Sequence, residues 1–447
     1  MSKRRDWELP AMPLRPKVGV VGLSSPLEVG AQQAPIASAE LGRWLNSAGV
    51  EALDLGACAD ADEAAPAGRR LAEAHVDAIV GVATSWYEDY LVLDLLEECR
   101  VPLLLWSIPG METGALCGSQ QLTCFLKQLQ LPYACAFGDV SDAACRERGL
   151  SYLRAAALHR RLRRARIGIA GSRVGGMTHT APSEFMLKRA LGPRVVPLDL
   201  PGLLRRAGDT ADETSRRLWE DVLRRAGHSR VPEADGLSSM AMYAAVREVV
   251  QEHGLDALTI GCYPDLMGRV CLTASLLADE GVPLACEGDV NGAVGQLILQ
   301  LLTGQPTHNT DWLNPLEDDS VVFTHCGSGS FSLAHRPEEI TLSDVRLMGQ
   351  GACALFTARP GPVTLLSLNA LPGGYQCALL EGEALPTEMV FPGNPVRVRF
   401  EQKTSDLIDW IHREGIGHHW MIGYGHVGEA VRDWASCAGA GVRLVER

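Results

Sequence analysis

The sequence predicts an α/β protein in which two parallel-sheet α/β domains precede a β-rich, barrel-like C-terminal domain. Three observations carry this expectation. Short β-branched runs alternate with amphipathic helical stretches through the first third of the chain. The same rhythm restarts after a basic helix end near residue 160. Past about residue 320, helical periodicity fades and glycine, proline and alternating strands take over.

The first block opens with Lys17–Leu23, continues through a helical stretch from about Ala31 to Ser47, and adds strand-like runs at Val50–Leu55, Val76–Val82 and Val101–Trp106. Short apolar runs separated by amphipathic segments read as a buried parallel sheet with right-handed crossovers. The second block repeats the pattern at Arg166–Ala170, Val195–Leu200, Asp256–Ile260 and Val282–Cys286. The blocks share a Rossmann-like rhythm and no close sequence repeat. The third region holds runs at Val321–Thr324, Val363–Ser367, Gln376–Leu380 and Val396–Phe400, expected to pair antiparallel. A helix over Ser405–Arg413, a strand over His419–Tyr424 and a helix over Val427–Cys437 close the chain. The expected domains are 1–163, 164–318 and 319–447.

Composition narrows the function. The 447 residues are 46% hydrophobic and 21% charged, ordinary for a globular protein, and 41 Lys and Arg against 54 Asp and Glu leave a net charge of −13. Such a surface repels phosphate backbones and anionic lipid, which argues against nucleic-acid and membrane partners. The one basic run, Arg160–Arg164, reads as a solvated helix face. The 13 cysteines are odd in number and form no Cys-x-x-Cys pair, so buried thiols in a reducing cytoplasm are expected. Basic residues in Met1–Asp6 are followed by Trp7–Arg15, which has no continuous apolar core. No signal peptide and no membrane span are expected.

Two carboxylates draw attention first. Asp265 and Asp289 each follow a strand-like run, with a single helix, about Val270–Asp279, between them. In such a βαβ unit the strands are parallel and about 4.8 Å apart, and both acids emerge at the rim where open α/β sheets bind ligands. They could share a divalent cation, or repel until one becomes a general acid. A structural reading stands beside this one: Asp289 could cap the helix Val290–Thr303, and Asp265 could form a turn. Glu287 would point away if the chain stayed extended. His418 and His419 supply imidazoles. Adjacent residues on a strand face opposite ways, so at most one is expected at a given site. Arg173, in the loop Gly171–Thr178, could reach a substrate hydroxyl or anionic group. That loop lacks the lysine and glycine pattern of a nucleotide site. His325–Gly327 reads as structural, and Cys326 shows no activating neighbour.

Together, Asp265, the Cys286-Glu-Gly-Asp-Val-Asn-Gly-Ala stretch and the Gly-His-His…Gly-His-Val-Gly ending resemble L-fucose isomerase and the wider group that includes L-arabinose isomerase. The resemblance covers the whole chain in outline, and its specific motifs cover about residues 262–313 and 415–428. It implies an aldose–ketose isomerase that uses Mn²⁺, or another divalent cation such as Co²⁺ or Mg²⁺, held by Asp265, Asp289 and His419. It puts His418, as a substrate-side residue, where the family has Asn, and aligns Trp86 loosely with a sugar-stacking Trp. It also implies a homo-oligomer, trimer or hexamer, acting on a small sugar.

One departure matters. Asp265 stands where the family has Glu, and a carboxylate set back by roughly 1.5 Å can change the rate. The resemblance gives Asp265 as the base that moves the C2 proton and Asp289 as its partner, with the reverse assignment open. The departure leaves room for a metal-dependent lyase or epimerase on a sugar or sugar acid. A sugar-binding relative without catalysis is the remaining alternative.

Overall fold

Apolar residues on alternate positions of each early strand demand cover on two faces, and the chain supplies helices for both. The computed structural model describes residues 13–447. The basic N-terminal stretch and most of the Trp7–Arg15 segment lie outside the described residues. The chain divides into two compact units. The first holds 14–161 with 429–439, and the second holds 162–428 with 440–447.

In the first unit, β1 (Lys17–Leu23), β2 (Glu51–Cys58), β3 (Ala78–Ala83), β4 (Leu103–Ser107) and β5 (Tyr133–Phe137) form a parallel sheet in the order β2-β1-β3-β4-β5. One face buries Val21, Leu23, Ile79, Leu103 and Leu105 against Leu71, Leu91, Leu95 and Leu122. The other buries Val18, Val20, Val80, Leu104 and Trp106 against Leu41, Leu45, Tyr152 and Leu153. Odd and even residues of one strand serve opposite cores, as the period of two requires.

The second unit contains β6 (Arg166–Ala170), β7 (Arg194–Leu198), β8 (His228–Ser229), β9 (Ala257–Ile260), β10 (Leu284–Ala285), β11 (His308–Pro315), β12 (Ser320–Thr324), β13 (Thr341–Ser343), β14 (Cys353–Leu355), β15 (Gly361–Leu371), β16 (Gly374–Leu385), β17 (Val396–Arg399), β18 (His419–Tyr424) and β19 (Val442–Glu446). A parallel sheet runs β10-β9-β6-β7, and β9 and β10 are adjacent and parallel as the sequence predicts. A seven-stranded sheet runs β15-β18-β11-β12-β17-β16-β19, and β15 also pairs with β16. The four runs expected to pair antiparallel do so; β19, from the end of the chain, joins β16 in parallel and makes the sheet as a whole mixed. One apolar core continues from Leu258 and Ile260 of the parallel sheet to Phe323, Leu365 and Ile422 of the mixed one. The helix Val290–Thr303 is buried at nearly every position and packs on β9, β15 and β18. A helix apolar all round belongs between layers.

Two smaller expectations change. The basic run is not simply a solvated face: Arg160 donates to the Val76 carbonyl at 2.8 Å and sits 3.4 Å from Asp77. Nine of the free cysteines are buried, whereas Cys117, Cys124 and Cys135 are exposed. Among the described residues, no helix is long and apolar enough to cross a membrane.

Candidate active site

In the parallel sheet of the second unit, strand order reverses at β6, with β9 on one side and β7 on the other. Loops leaving the carboxyl ends of β6 and β9 therefore diverge there, opening the crevice that such sheets use for ligands. The loop after β6 brings Arg173 and His179 to this rim, the loop after β9 brings Asp265, and the loop after β10 brings Cys286–Asp289.

The turn after β10 decides the geometry. Glu287 has φ +66° and Gly288 φ +71°, two consecutive left-handed residues. Glycine is required at 288 because a Cβ would lie 2.7 Å from the Arg173 backbone. The chain is thus not extended, and the condition that would turn Glu287 away fails. Instead Glu287 and Asp289 both reach His419.

His419 opens β18 and is only 5% exposed. Its Nδ1 is 2.8 Å from Asp289 Oδ2, and its Nε2 is 3.2 Å from Glu287 Oε2. Asp311 lies directly opposite it on β11, with Oδ1 3.6 Å from Nε2. Burial alone would push the imidazole down, but the hydrogen bonds to Asp289 and Glu287 outweigh it and raise His419 to about 9. Burial likewise works to raise Glu287, yet hydrogen bonds from His325 and His419 hold it at about 2.

Asp289 occupies the N-cap position of the helix Val290–Thr303, yet its side chain makes no capping bond. The capping reading gives way: the carboxylate points at His419. Its second oxygen, Oδ1, and Asp311 Oδ1 are buried without a hydrogen-bond partner. Unpartnered buried carboxylate oxygens are costly, and a cation is the usual remedy. Asp289 lies at Nδ1 of His419, and Glu287 and Asp311 lie at Nε2; oxygen and nitrogen donors of this kind suit a divalent cation of the Mn²⁺ type, which the imidazole would bind through one of these two sides. Two candidate ligand groups share His419, one with Glu287 and His325 and one with Asp311 and His418.

His418 was expected on the opposite side from His419. It precedes the strand, and its ring lies 4.3 Å from that of His419, with Nε2 3.9 Å from Asp311 Oδ1. His179, which the sequence did not single out, brings its ring to 4.9 Å from His418. Burial pushes both His179 and His418 down, and the neighbouring His419 adds to the effect. A small pocket opens here, lined by His179, Thr180, Asp289, Ser367, Asn369 and His419 among others.

The remaining expected residues lie outside these groups. Asp265 is exposed on the turn after β9 and makes no hydrogen bond or ion pair among the described residues. Arg173 is half-buried and donates to the Val174 carbonyl at 3.0 Å. Trp86 belongs to the first unit, half-buried, with its indole N–H donating to Gln121 at 3.2 Å.

No family model matches the chain. The sulfoquinovose isomerase of Priestia aryabhattai is 27% identical over 375 residues, 79% of this chain and 82% of that one. The sulfoquinovose isomerase of Alkalicoccus urumqiensis is 26% identical over 369 residues, 80% of this chain and 83% of its own length. That of Clostridium sp. (strain MSTE9) is 24% identical over 344 residues. Among solved structures, a periplasmic arabinose-binding protein from Shewanella sp. ANA-3 has a TM-score of 0.18 at 14% identity, covering 62% of this chain and 78% of its own. The curated likeness makes this chain an enzyme, an intramolecular oxidoreductase of the sugar isomerase class. These relatives carry a different name from the L-fucose isomerase group that the motifs resemble.

Proposed function

We propose that the protein interconverts an anionic aldose and its ketose, with a sulfonated hexose as substrate, in a metal-dependent reaction. The observation that carries this reading is the His419 cluster: an imidazole held by Asp289 at 2.8 Å and Glu287 at 3.2 Å, beside two unpartnered carboxylate oxygens. Curated relatives named sulfoquinovose isomerase support the substrate class.

A divalent cation, Mn²⁺ or in its place Co²⁺ or Mg²⁺, would be held by Asp289, His419 and Glu287 after a side-chain rotation brings the two carboxylates, which bond opposite ring nitrogens of His419, to one side, and would supply Lewis-acid stabilisation of the charge that develops on the sugar oxygens. Glu287 takes the third position that the family resemblance gives to Asp265, because Glu287 touches His419 and Asp265 does not. Asp265, on the same rim, is then free to act as the base: it accepts the C2 proton and returns it to C1. The unpartnered oxygen of Asp289 supports proton movement between O1 and O2. His179 and His418, kept neutral by burial, can donate or accept hydrogen bonds from sugar hydroxyls. Arg173 pairs with the sulfonate, two of whose oxygens can accept the paired N–H bonds of the planar guanidinium. By the family resemblance the enzyme would be a cytoplasmic homo-oligomer, trimer or hexamer.

The test is an incubation of Mn²⁺-loaded protein in D₂O with a panel of pentoses, hexoses and 6-sulfonated hexoses. Ketose formation with deuterium entering at C2 of the recovered aldose, fastest for the sulfonated sugar, is expected. Carbon–carbon cleavage products, or binding without exchange, would replace this reading with a lyase or a binding protein.

A further inference from the structure

We propose that Cys286, His325 and Cys326 form a second metal site, specific for a thiophilic cation such as Zn²⁺. The three residues come from different places: Cys286 follows β10, and His325 and Cys326 follow β12. One ligand atom from each lies within 4.8 Å of the others. His325 Nδ1 is 3.2 Å from Cys326 Sγ, and Cys271, the first residue of the helix Cys271–Asp279, brings its sulfur to 3.9 Å from Cys326 Sγ. In a tetrahedral zinc centre with bonds of about 2.0–2.3 Å, neighbouring ligand atoms sit about 3.3–3.8 Å apart. Small side-chain rotations therefore suffice to close the site, with Cys271 beside Cys326 and Cys262 beside Cys286 as further sulfurs.

Chemistry separates this site from the carboxylate cluster beside it. Two sulfurs and an imidazole select soft or borderline cations, whereas carboxylates select Mn²⁺ and Mg²⁺. The surroundings are dry: Cys286 is 1% exposed, and the His325 side chain is 8% exposed. His325 joins the two clusters, because its other nitrogen, Nε2, lies 3.8 Å from Glu287 Oε2. A cation on Nδ1 fixes the ring with its Nε2–H directed toward Glu287, the way an outer carboxylate orients a ligating histidine. The 3.9 Å separation of Cys271 and Cys326 is far from the roughly 2.05 Å of a disulfide. Both are free thiols.

The proposal does not rest on the isomerase reading, and its test needs no substrate. Reduced, chelator-stripped full-length protein is titrated with Co²⁺, a spectroscopic substitute for zinc. A near-ultraviolet sulfur-to-cobalt charge-transfer band that Zn²⁺ abolishes is expected. The band should vanish in Cys286→Ser and Cys326→Ser and persist in Asp289→Asn, which alters only the carboxylate cluster. Wild-type protein guards against misfolded variants: Zn²⁺ should slow alkylation of Cys286 and Cys326 by more than about tenfold, equivalent to more than about 1.4 kcal/mol of protection, while exposed Cys117 reacts unchanged. No band, a band that survives both serine variants, a band lost in Asp289→Asn, or equal alkylation with and without Zn²⁺ would each overturn the proposal.

Discussion

The two parallel sheets of this protein have related topologies and opposite rims. In the first unit the sheet runs β2-β1-β3-β4-β5, and the residues at its carboxyl ends are mainly hydroxyls that bond one another, joined by one carboxylate, Glu88, whose Oε1 accepts from Ser25 at 3.4 Å and whose Oε2 has no hydrogen-bond partner. Ser107 donates to Ser119 at 2.7 Å, Tyr87 meets Ser119 at 3.3 Å, and the Ser25 N–H donates to Ser85 at 3.2 Å. In the second unit the corresponding rim carries Glu287 and Asp289, and the adjoining mixed sheet adds Asp311 and the buried imidazole of His419, with one oxygen of each aspartate lacking a hydrogen-bond partner. The fold supplies a crevice in each case. The side chains differ: the first rim sets one carboxylate among hydroxyls, and the second gathers several carboxylates around an imidazole.

The strongest way to break this contrast is to remove the charged rim. Asp289→Asn or His419→Ala should cut isomerisation and C2 exchange by about 10²–10³-fold or more while the circular dichroism spectrum stays native. Full activity in either variant would reduce the second rim to a structural feature like the first. Sharpening comes next, from separating the two acids in dispute. Glu287→Gln should weaken Mn²⁺ binding by at least about tenfold (~1.4 kcal/mol), whereas Asp265→Asn should leave Mn²⁺ affinity intact and slow exchange. Calorimetric titration beside the D₂O assay distinguishes them, and the reverse pattern restores Asp265 as the ligand.

Backbone strain gives a smaller effect. Gly288→Ala puts a Cβ against the Arg173 backbone at φ +71°. It should cost about 1–3 kcal/mol by denaturant melts and lower Mn²⁺ affinity. An unchanged melt would mean that the turn after β10 is not fixed by this contact.

Proton linkage supplies the two mildest tests. His419, raised to about 9 by its carboxylates, is protonated at pH 7, and a cation must displace that proton. Loading with Mn²⁺ at pH 7 should release about one proton, and affinity should climb as pH rises toward 9. Weakly buffered titration with a pH indicator reads this directly. Far from the rim, burial, aided by Arg359, pushes His308 down to about 3. The unfolded chain binds that proton near pH 6.5 and the folded one does not, so stability is full above about 6.5 and falls by up to ~1.4 kcal/mol per unit as pH drops toward 3. His308→Gln should flatten that slope in melts at pH 7 and pH 5.

Much of this was legible locally. The helix Val290–Thr303 and the strand His419–Tyr424 lie where periodicity places them, and β9 and β10 are adjacent as a single-helix crossover demands. What escaped the sequence was anything decided by long-range contact or by an unusual dihedral. Glu287 was expected to turn away because nothing local announces a left-handed residue before Gly288. Asp311 was missed because its role depends on β11 pairing with β18 across more than a hundred residues. His325 stood in a segment read as structural, and its partners Cys286 and Glu287 come from a different strand end. Asp265 shows the converse: a family motif named it, while its exposed turn puts it outside the cluster.

The central claim is most directly tested by diffraction from a Mn²⁺-soaked crystal recorded at the manganese absorption edge. The account predicts an anomalous peak within bonding distance of Asp289 and His419, with Glu287 completing the protein ligands. A peak bound elsewhere, or a site with neither Asp289 nor His419 among its ligands, would contradict it.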